Sequence, residues 1–467
     1  MCAPLFLMTE NTTIAALVTA PAPSGVAIVR ISGPQAAMTA GRLFQAALDP
    51  LAHPRKLVYG RITGGLEAET LDHALAVFMP GPGSYTGEDT VEFQIHGSPL
   101  IAQMLLRRIF ECGVHPAQPG EFTRRAFLNG KLDLVQAEAV ADLISAENRA
   151  AVKLAQEQLE GRFSGVIERL ADPLRDALAN LEVSLDFPEE GIEPSSRTEI
   201  VRQLDTALEE IGRLLDTYSY GRQAREGFRV WLCGLPNAGK SSLFNALLGE
   251  NRAIVTSVSG TTRDVLEEGC DIGGCRFVFC DSAGIHDSRD EVEKIGVELA
   301  RRRADWADLV LLVADLSDTG NGWESLLPFL RSRSSRVWLV GSKIDAAAGR
   351  RFTGEHADAG IAGVLNVSAL SGSGMPEIKQ ALIDEFQSNL SRGRETSQIV
   401  TNERHRDCLI KARDALRQTV AALSASMDLE FVSADLRATL DALDEIVGRT
   451  WNEDLLGRIF SKFCIGK

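Results

Sequence analysis

The apolar positions fall into distinct textures along the chain. Up to about residue 130, short apolar runs alternate with polar turns. Gly25–Ile31, Ala74–Phe78 and Thr90–Ile95 each predict a strand, and Pro80-Gly81-Pro82-Gly83-Ser84 between the last two is a loop by composition. From Leu132 the apolar spacing changes to three and four. Leu134, Ala137, Ala141 and Ile144 share one helical face, and so do Leu170, Leu174, Leu178 and Leu181. Phe187-Pro188-Glu189-Glu190-Gly191 breaks that pattern, and a further helix is predicted from about Glu199 to Tyr218. From Phe228 to about Phe386 apolar strands alternate with helices. The strands are Phe228–Cys233, Arg276–Cys280, Leu309–Ala314, Val337–Val340 and Val364–Val367. This alternation predicts a mostly parallel sheet with helices on both faces. Ser388–Ser397 is polar and reads as a linker. From Ile399 to Ile459 the pattern is helical again, with Leu409, Ala412 and Leu416 on one stripe. An α/β unit therefore interrupts a helical region, which resumes after it. No internal repeat is visible.

The 467 residues fit about three domains. Lys plus Arg number 49 against 64 Asp plus Glu, a net charge of −15, which argues against a generally basic nucleic-acid coat. No apolar run reaches the roughly 18 residues that a membrane span needs. The N-terminal MCAPLFLMTE lacks a basic stretch and has a short apolar one, so a secretory signal is not expected and the location reads as cytoplasmic. The eight cysteines include no C-x-x-C pair. Cys270, Cys275 and Cys280 fall in a predicted β-hairpin and read as small strand residues, with the thiols reduced.

Gly234-Leu235-Pro236-Asn237-Ala238-Gly239-Lys240-Ser241 matches G-x-x-x-x-G-K-[ST]. A strand precedes it and a helix, Ser242–Leu248, follows and ends at Gly249. Glycines let backbone N–H groups approach phosphates at a helix N-terminus. Lys240 is placed to reach the β- and γ-phosphates and Ser241 to bind Mg²⁺. Downstream, Gly260-Thr261-Thr262-Arg263-Asp264 offers a switch threonine, Thr262, for Mg²⁺. Asp281-Ser282-Ala283-Gly284 offers an Asp for the Mg²⁺ shell and a Gly284 amide for the γ-phosphate. In this order behind a P-loop, these elements resemble the small GTPase domain. Ser342-Lys343-Ile344-Asp345 is similar to that family's N-K-x-D, with Ser342 in place of Asn. An Asp345 carboxylate accepts from guanine N1 and N2, donors that adenine lacks, although a helix N-cap is the plainer reading of that Asp. Ser368-Ala369-Leu370 resembles the loop that meets guanine O6 through its backbone. The residue after D-x-x-G is Ile285, which cannot orient water as a Gln does. Asp287, Asp290, Glu291 and Glu293 are candidates, and equally a solvated acidic loop.

Longer motifs narrow the resemblance. Gly83-Ser84-Tyr85-Thr86-Gly87-Glu88-Asp89, Gly120-Glu121-Phe122-Thr123-Arg124-Arg125-Ala126-Phe127-Leu128-Asn129-Gly130-Lys131, the Asn237-containing P-loop, the Thr-Thr-Arg-Asp switch and Cys464-Ile465-Gly466-Lys467 occur in one order. Over nearly its whole length the chain resembles the TrmE family of bacterial and organellar tRNA-modification GTPases. His96-Gly97-Ser98, where that family usually has H-G-G, is a departure.

The resemblance implies a multidomain α/β + α protein. An N-terminal α/β folate-binding and dimerisation domain would span residues 1–130. A helical domain would be made of 131–225 and 388–467, and a Ras-like P-loop α/β GTPase domain, 226–387, would be inserted between them. It implies that G domains pair with K⁺ between them, ligated by Asn237 and by the loop residues Thr256, Val258 and Thr261. The nucleotide set it implies is Asn237, Ala238, Gly239, Lys240, Ser241, Ser242, Thr256, Ser257, Val258, Ser259, Gly260, Thr261, Thr262, Asp281, Ser282, Ala283, Gly284, Ser342, Lys343, Asp345, Ser368, Ala369 and Leu370. It selects Glu293 among the acids as the indirect water-positioning group. Arg30, Glu92, Lys131 and Lys467 match positions that contact a tetrahydrofolate derivative, 5-formyl or 5,10-methylene. Arg and Lys suit the glutamate carboxylates, and Glu92 suits the pterin donors. Each also has a plain reading, as a strand-edge charge, a helix-end cation or a chain terminus. Tyr85 reads as a packing residue. Cys464 is either a nucleophile or acid, or a small residue tucked against the helices.

The implied function is K⁺-dependent GTP hydrolysis that drives modification of C5 of the wobble uridine of certain tRNAs with a folate one-carbon unit. The chain would act as a homodimer in a hetero-oligomer with the flavoprotein MnmG and tRNA. Arg124-Arg125 and Arg301-Arg302-Arg303 are the best local basic patches. The rival reading is a GTP-binding switch in ribosome assembly without folate chemistry. It lacks support from any appended RNA-binding module. A folate-dependent one-carbon transferase with a regulatory G domain is the third.

Overall fold

The computed structural model describes residues 12–63, 69–186, 197–249, 267–281, 300–318, 320–333, 336–353, 361–393, 398–425 and 427–467. Its contacts divide the chain into two compact units. One gathers Met1–Ile144, Ala155–Ala207 and Lys411–Lys467; the other gathers Ser145–Leu154 and Leu208–Ile410.

The first unit holds a seven-stranded sheet in the order β3-β4-β5-β6-β2-β1-β7. Its strands are β1 (Ile14–Leu17), β2 (Ser24–Ser32), β3 (Phe44–Ala46), β4 (Val58–Thr63), β5 (Thr70–Met79), β6 (Thr90–Gly97) and β7 (His115–Pro116). The central pair β2 and β6 is antiparallel, with Arg30 opposite Glu92. Along both strands burial alternates. Ala27, Val29 and Ile31 with Val91, Phe93 and Ile95 enter a core completed by Ala36, Ala40 and Leu43 of one helix and Ala102, Leu105 and Ile109 of another. The period of two puts Arg30 and Glu92 on the opposite face of the sheet. The helices of this unit bury a second cluster, in which Phe127, Leu134 and Ala137 meet Leu456, Ile459, Phe460 and Phe463.

The second unit holds a six-stranded sheet in the order β13-β12-β11-β8-β10-β9. The strands are β8 (Phe228–Cys233), β9 (Glu267–Ile272), β10 (Cys275–Asp281), β11 (Leu309–Asp315), β12 (Val337–Ser342) and β13 (Gly363–Asn366). The edge strand β9 is antiparallel to β10, and the other neighbours pair in parallel. This is the Ras-like arrangement expected above. The first six residues of β11 are all buried, because helices cover both faces of a parallel sheet and leave no solvent side. Two apolar clusters follow. Phe228, Val230 and Leu232 pack on one face of the sheet, and Trp231, Val310 and Leu312 on the other.

The linker expected over Ser388–Ser397 is corrected in its first part. The helix Met375–Gly393 runs through Ser388 to its end, and 394–397 lie outside the described residues. Polar composition signals exposure there rather than irregular backbone. Among the described residues, no helix is long and apolar enough to cross a membrane.

Candidate nucleotide and anion sites

β8 ends at Cys233, and the loop Gly234–Gly239 leads into the helix Lys240–Leu248. Gly239 sits at the helix N-cap with φ +87°. Gly234 has φ +154°, and a Cβ on it would lie 2.2 Å from the Val313 carbonyl oxygen. Only glycine lets the loop pass so close to β11. Asn237, at the exposed crest, adopts φ +62°. The N–H groups at the start of such a helix have no intrahelical partner, which makes an anion-binding concavity.

Lys240 curls back over the loop. Its Nζ donates to the Gly234 carbonyl at 3.1 Å and the Leu235 carbonyl at 2.8 Å. Burial lowers its pKa, while the charges of Asp281 and Cys233 pull the other way. Asp281 is buried at the end of β10, so the structure brings it and Lys240 together. Burial pushes the Cys233 thiol up to about 11. The loop lines a cavity of about 670 Å³ together with Ser241, Ser242, Lys343, Leu326 and Phe329, within the usual range for a small-molecule site.

The second half of this site comes from β12 and the turn after it. Ser342 is buried and its Oγ donates to the Ala238 carbonyl at 2.6 Å, with the Ala314 carbonyl 3.2 Å away. The hydroxyl thus straps the base-side loop to the phosphate loop. The Lys343 Nζ donates to the Asn237 carbonyl at 2.9 Å. Asp345 is exposed in a turn. No helix begins there, so the plain N-cap reading is excluded. The Ile344 N–H donates to the Val367 carbonyl at 3.3 Å, which sets this turn beside Ser368, Ala369 and Leu370. Ser368 is fully buried and accepts the Ser371 N–H at 3.0 Å, while Leu370 is exposed. Thr256, Ser257, Val258, Ser259, Gly260, Thr261, Thr262, Ser282, Ala283, Gly284 and Glu293 lie outside the described residues, as do Asp287, Asp290 and Glu291.

A second site is built on the open face of the seven-stranded sheet. Arg30 Nε donates to Glu92 Oε1 at 2.7 Å. Its guanidinium carbon lies 5.6 Å from the centre of the Tyr85 ring and 5.4 Å from that of Phe122. Arg30 Nη1 is buried and makes no hydrogen bond among the described residues. Lys467 joins this pair: burial lowers its pKa, Arg30 lowers it further, and Glu92 raises it. The Phe122 N–H donates to the Lys467 carbonyl at 3.2 Å. Arg30, Glu92 and Lys467 are therefore brought together. Lys131 is placed beside Gly87 instead, and no described contact joins it to the other three. Tyr85 does more than pack: its hydroxyl lies 2.9 Å from Thr123 Oγ1. Its face toward Arg30 was not legible in the sequence.

Cys464 is exposed. Its carbonyl accepts from the Lys467 N–H at 3.3 Å. The reading that tucks it against the helices is excluded. The Arg124-Arg125 patch is corrected. Arg125 binds Glu121 at 2.8 Å and Glu88 at 3.1 Å, and Arg124 binds Glu453 at 2.6 Å, with both guanidinium groups largely buried. Arg303 is likewise paired with Glu267 and set over Trp306.

A glycine-strapped phosphate loop at the carboxyl end of the first parallel strand, tied to a neighbouring base-side turn, defines the class of P-loop nucleotide-binding proteins. A family model described as the MnmE helical domain matches residues 134–464, and one described as the GTP-binding protein TrmE N-terminus matches residues 13–131. The tRNA modification GTPase MnmE of Geobacter metallireducens is 40% identical over 461 residues, covering 97% of this chain and 99% of that relative. The protein of the same name from Akkermansia muciniphila is 39% identical over 455 residues, with the same two coverages. The chain belongs to the MnmE (TrmE) family of tRNA modification GTPases.

Proposed function

We propose that this chain hydrolyses GTP in the course of tRNA modification. The observation that carries the reading is the tie between phosphate loop and base-side turn, through Ser342 Oγ and Lys343 Nζ, with the Asp345 carboxylate left open to a ligand. Asn237 to Ser242 would cradle the phosphates, with Lys240 on the β- and γ-phosphates. Asp345 would accept from the guanine N–H groups, and Ser368-Ala369-Leu370 would meet O6. Bound Mg²⁺, held by Ser241 and Thr262 with Asp281 behind them, would neutralise phosphate charge. The closeness of buried Asp281 to Lys240 suits that arrangement.

The finer reading is K⁺-dependent turnover in paired G domains. Asn237, Thr256, Val258 and Thr261 would hold the cation, and Glu293 would position water. K⁺ between the β- and γ-phosphates would stabilise charge developing there. The domain scheme 1–130, 131–225 with 388–467, and 226–387 belongs to this proposal. So do the homodimer, the cytoplasmic location and the flavoprotein partner MnmG. The product would be an aminomethyl or carboxymethylaminomethyl group on C5 of uridine 34. The one-carbon unit would come from a tetrahydrofolate, with Arg30 and Lys467 toward its carboxylates and Glu92 toward the pterin. The buried, unbonded Arg30 Nη1 fits an acidic ligand. Lys131 is the weakest member of that set on position. Cys464 is proposed as an acid or nucleophile at the same chemistry.

The test is base selectivity. Asp345→Asn exchanges an acceptor for an amide and should move turnover from GTP to XTP, whose 2-oxo group accepts a hydrogen bond. Retained GTP preference in Asp345→Asn would overturn the base reading.

A further inference from the structure

We infer that Asp315 is a positioning residue of the nucleotide site, clamping Lys343 across the crest of the phosphate loop; this rests on the nucleotide reading above. Asp315 is the last residue of β11. Its Oδ2 lies 2.6 Å from Lys343 Nζ. Its Oδ1 accepts the Ser317 N–H at 2.8 Å and the Ser317 hydroxyl at 2.6 Å. Every described oxygen of this carboxylate is therefore in use, and the group is fixed in one orientation. Burial raises its pKa, but the hydrogen bonds from Lys343 and Ser317 and the Lys343 charge outweigh that, and the net shift is downward. The ionised form of Asp315 is therefore the favoured one.

The clamp has something to hold. Lys343 has φ +56° and Asn237 has φ +62°, both in the left-handed region. For a lysine this conformation is disfavoured and persists only where the surroundings over-determine it. The surroundings here are one chain of contacts: Asp315 Oδ2 to Lys343 Nζ, and Lys343 Nζ to the Asn237 carbonyl. It runs beside the shorter strap from Ser342 Oγ to the Ala238 carbonyl. A serine supplies one donor where the family's asparagine amide has two. Arg350 adds a tie from the same base-side loop, donating to the Asp318 carbonyl at 3.1 Å. Together these contacts bind three segments: the end of β11, the turn after β12 and the crest of the phosphate loop. Lys343 lines the cavity and Asp315 does not. Asp315 thus acts through Lys343, not on the ligand. With the clamp in place the two left-handed residues are pre-set, and a nucleotide does not have to order them on binding.

The test is equilibrium binding of fluorescent GDP and fluorescent IDP to the full chain, for wild type, Asp315→Asn, Lys343→Gln, the double variant and Asp315→Glu. Asp315→Asn keeps the shape and removes the charge. Because Lys343 is partly exposed, its charge-assisted bond is discounted for solvent, and the expected rise in Kd is about five- to tenfold. Lys343→Gln should weaken binding at least as much, and the double variant should be no more than about twofold worse than Lys343→Gln alone. The ratio of GDP to IDP affinity should stay at the wild-type value, because Asp345 keeps its place. Asp315→Glu should recover part of the loss. Unchanged GDP affinity in Asp315→Asn would overturn the inference. So would multiplicative losses in the double variant, or a changed GDP-to-IDP ratio. If wild type binds neither nucleotide, the nucleotide reading itself fails, a different result from any of these.

Discussion

Gly234→Ala is the most demanding perturbation of the phosphate loop. The added methyl would sit 2.2 Å from the Val313 carbonyl oxygen and 3.2 Å from its carbon. Both are backbone atoms of a buried strand, so neither side chain rotation nor solvent provides relief. The backbone at φ +154° is glycine territory as well. The conformational term is about 1–3 kcal/mol and the forced displacement about 1–3 kcal/mol, so the midpoint of the total is about 4 kcal/mol. Any displacement of the loop also moves the Gly234 carbonyl, to which Lys240 Nζ donates. Stability and nucleotide affinity should therefore fall together. For a unit of roughly 200 residues, each kcal/mol moves Tm by roughly 2–4 °C, so the expected drop is about 8–16 °C. Tryptophan fluorescence is a suitable probe, because Trp231, Trp306, Trp323 and Trp338 belong to this unit and only Trp451 to the other. A drop below about 3 °C with unchanged GDP affinity would refute the close-approach argument.

Other expectations follow from the same contacts. Cys464 should be alkylated at least tenfold faster than Cys233 at pH 8, read by peptide mass spectrometry, since a pKa of about 11 leaves Cys233 roughly 0.1% thiolate; equal rates would contradict the burial. Arg30→Gln should weaken binding of a reduced folate by at least tenfold in calorimetry and leave GTP turnover within twofold, and a parallel loss of both would count against two separate sites. Burial holds the Asp133 pKa above its ordinary value, against the hydrogen bond from the Gln136 N–H. Its contribution is thus present below about pH 4 and is lost as pH rises through the folded value. Asp133→Asn should accordingly raise Tm at pH 7 and change it less at pH 4.5; a larger gain at the lower pH would reverse the sign.

The sequence exposes some of this architecture better than the rest, for physical reasons. β11 and β12 are legible because burial on both faces turns a strand into an apolar run, and β8 and β10 because a single arginine, Arg229 or Arg276, is all that interrupts their apolar residues. β1, β3, β4 and β7 are not. Phe44–Ala46 is three residues long, and Val58–Thr63 alternates with a central glycine that its neighbours require. The phosphate loop is legible because its chemistry needs fixed residue types at fixed spacing. The base-side turn is legible for the same reason, although the role of Ser342 is visible only in its bond to Ala238. Long-range partners are the silent part. Nothing local links Lys467 to Arg30 and Glu92, or Asp315 to Lys343. The pairing of Arg125 with Glu88 and Glu121 likewise turns an apparent basic patch into internal structure.

The central claim, cation-assisted GTP hydrolysis at this phosphate loop, is tested most directly by turnover of the purified chain in KCl and in NaCl at equal ionic strength, with Asn237→Ala alongside. The account predicts strong stimulation by K⁺ that Asn237→Ala removes. Equal, slow turnover in both salts, unchanged in the variant, would contradict it.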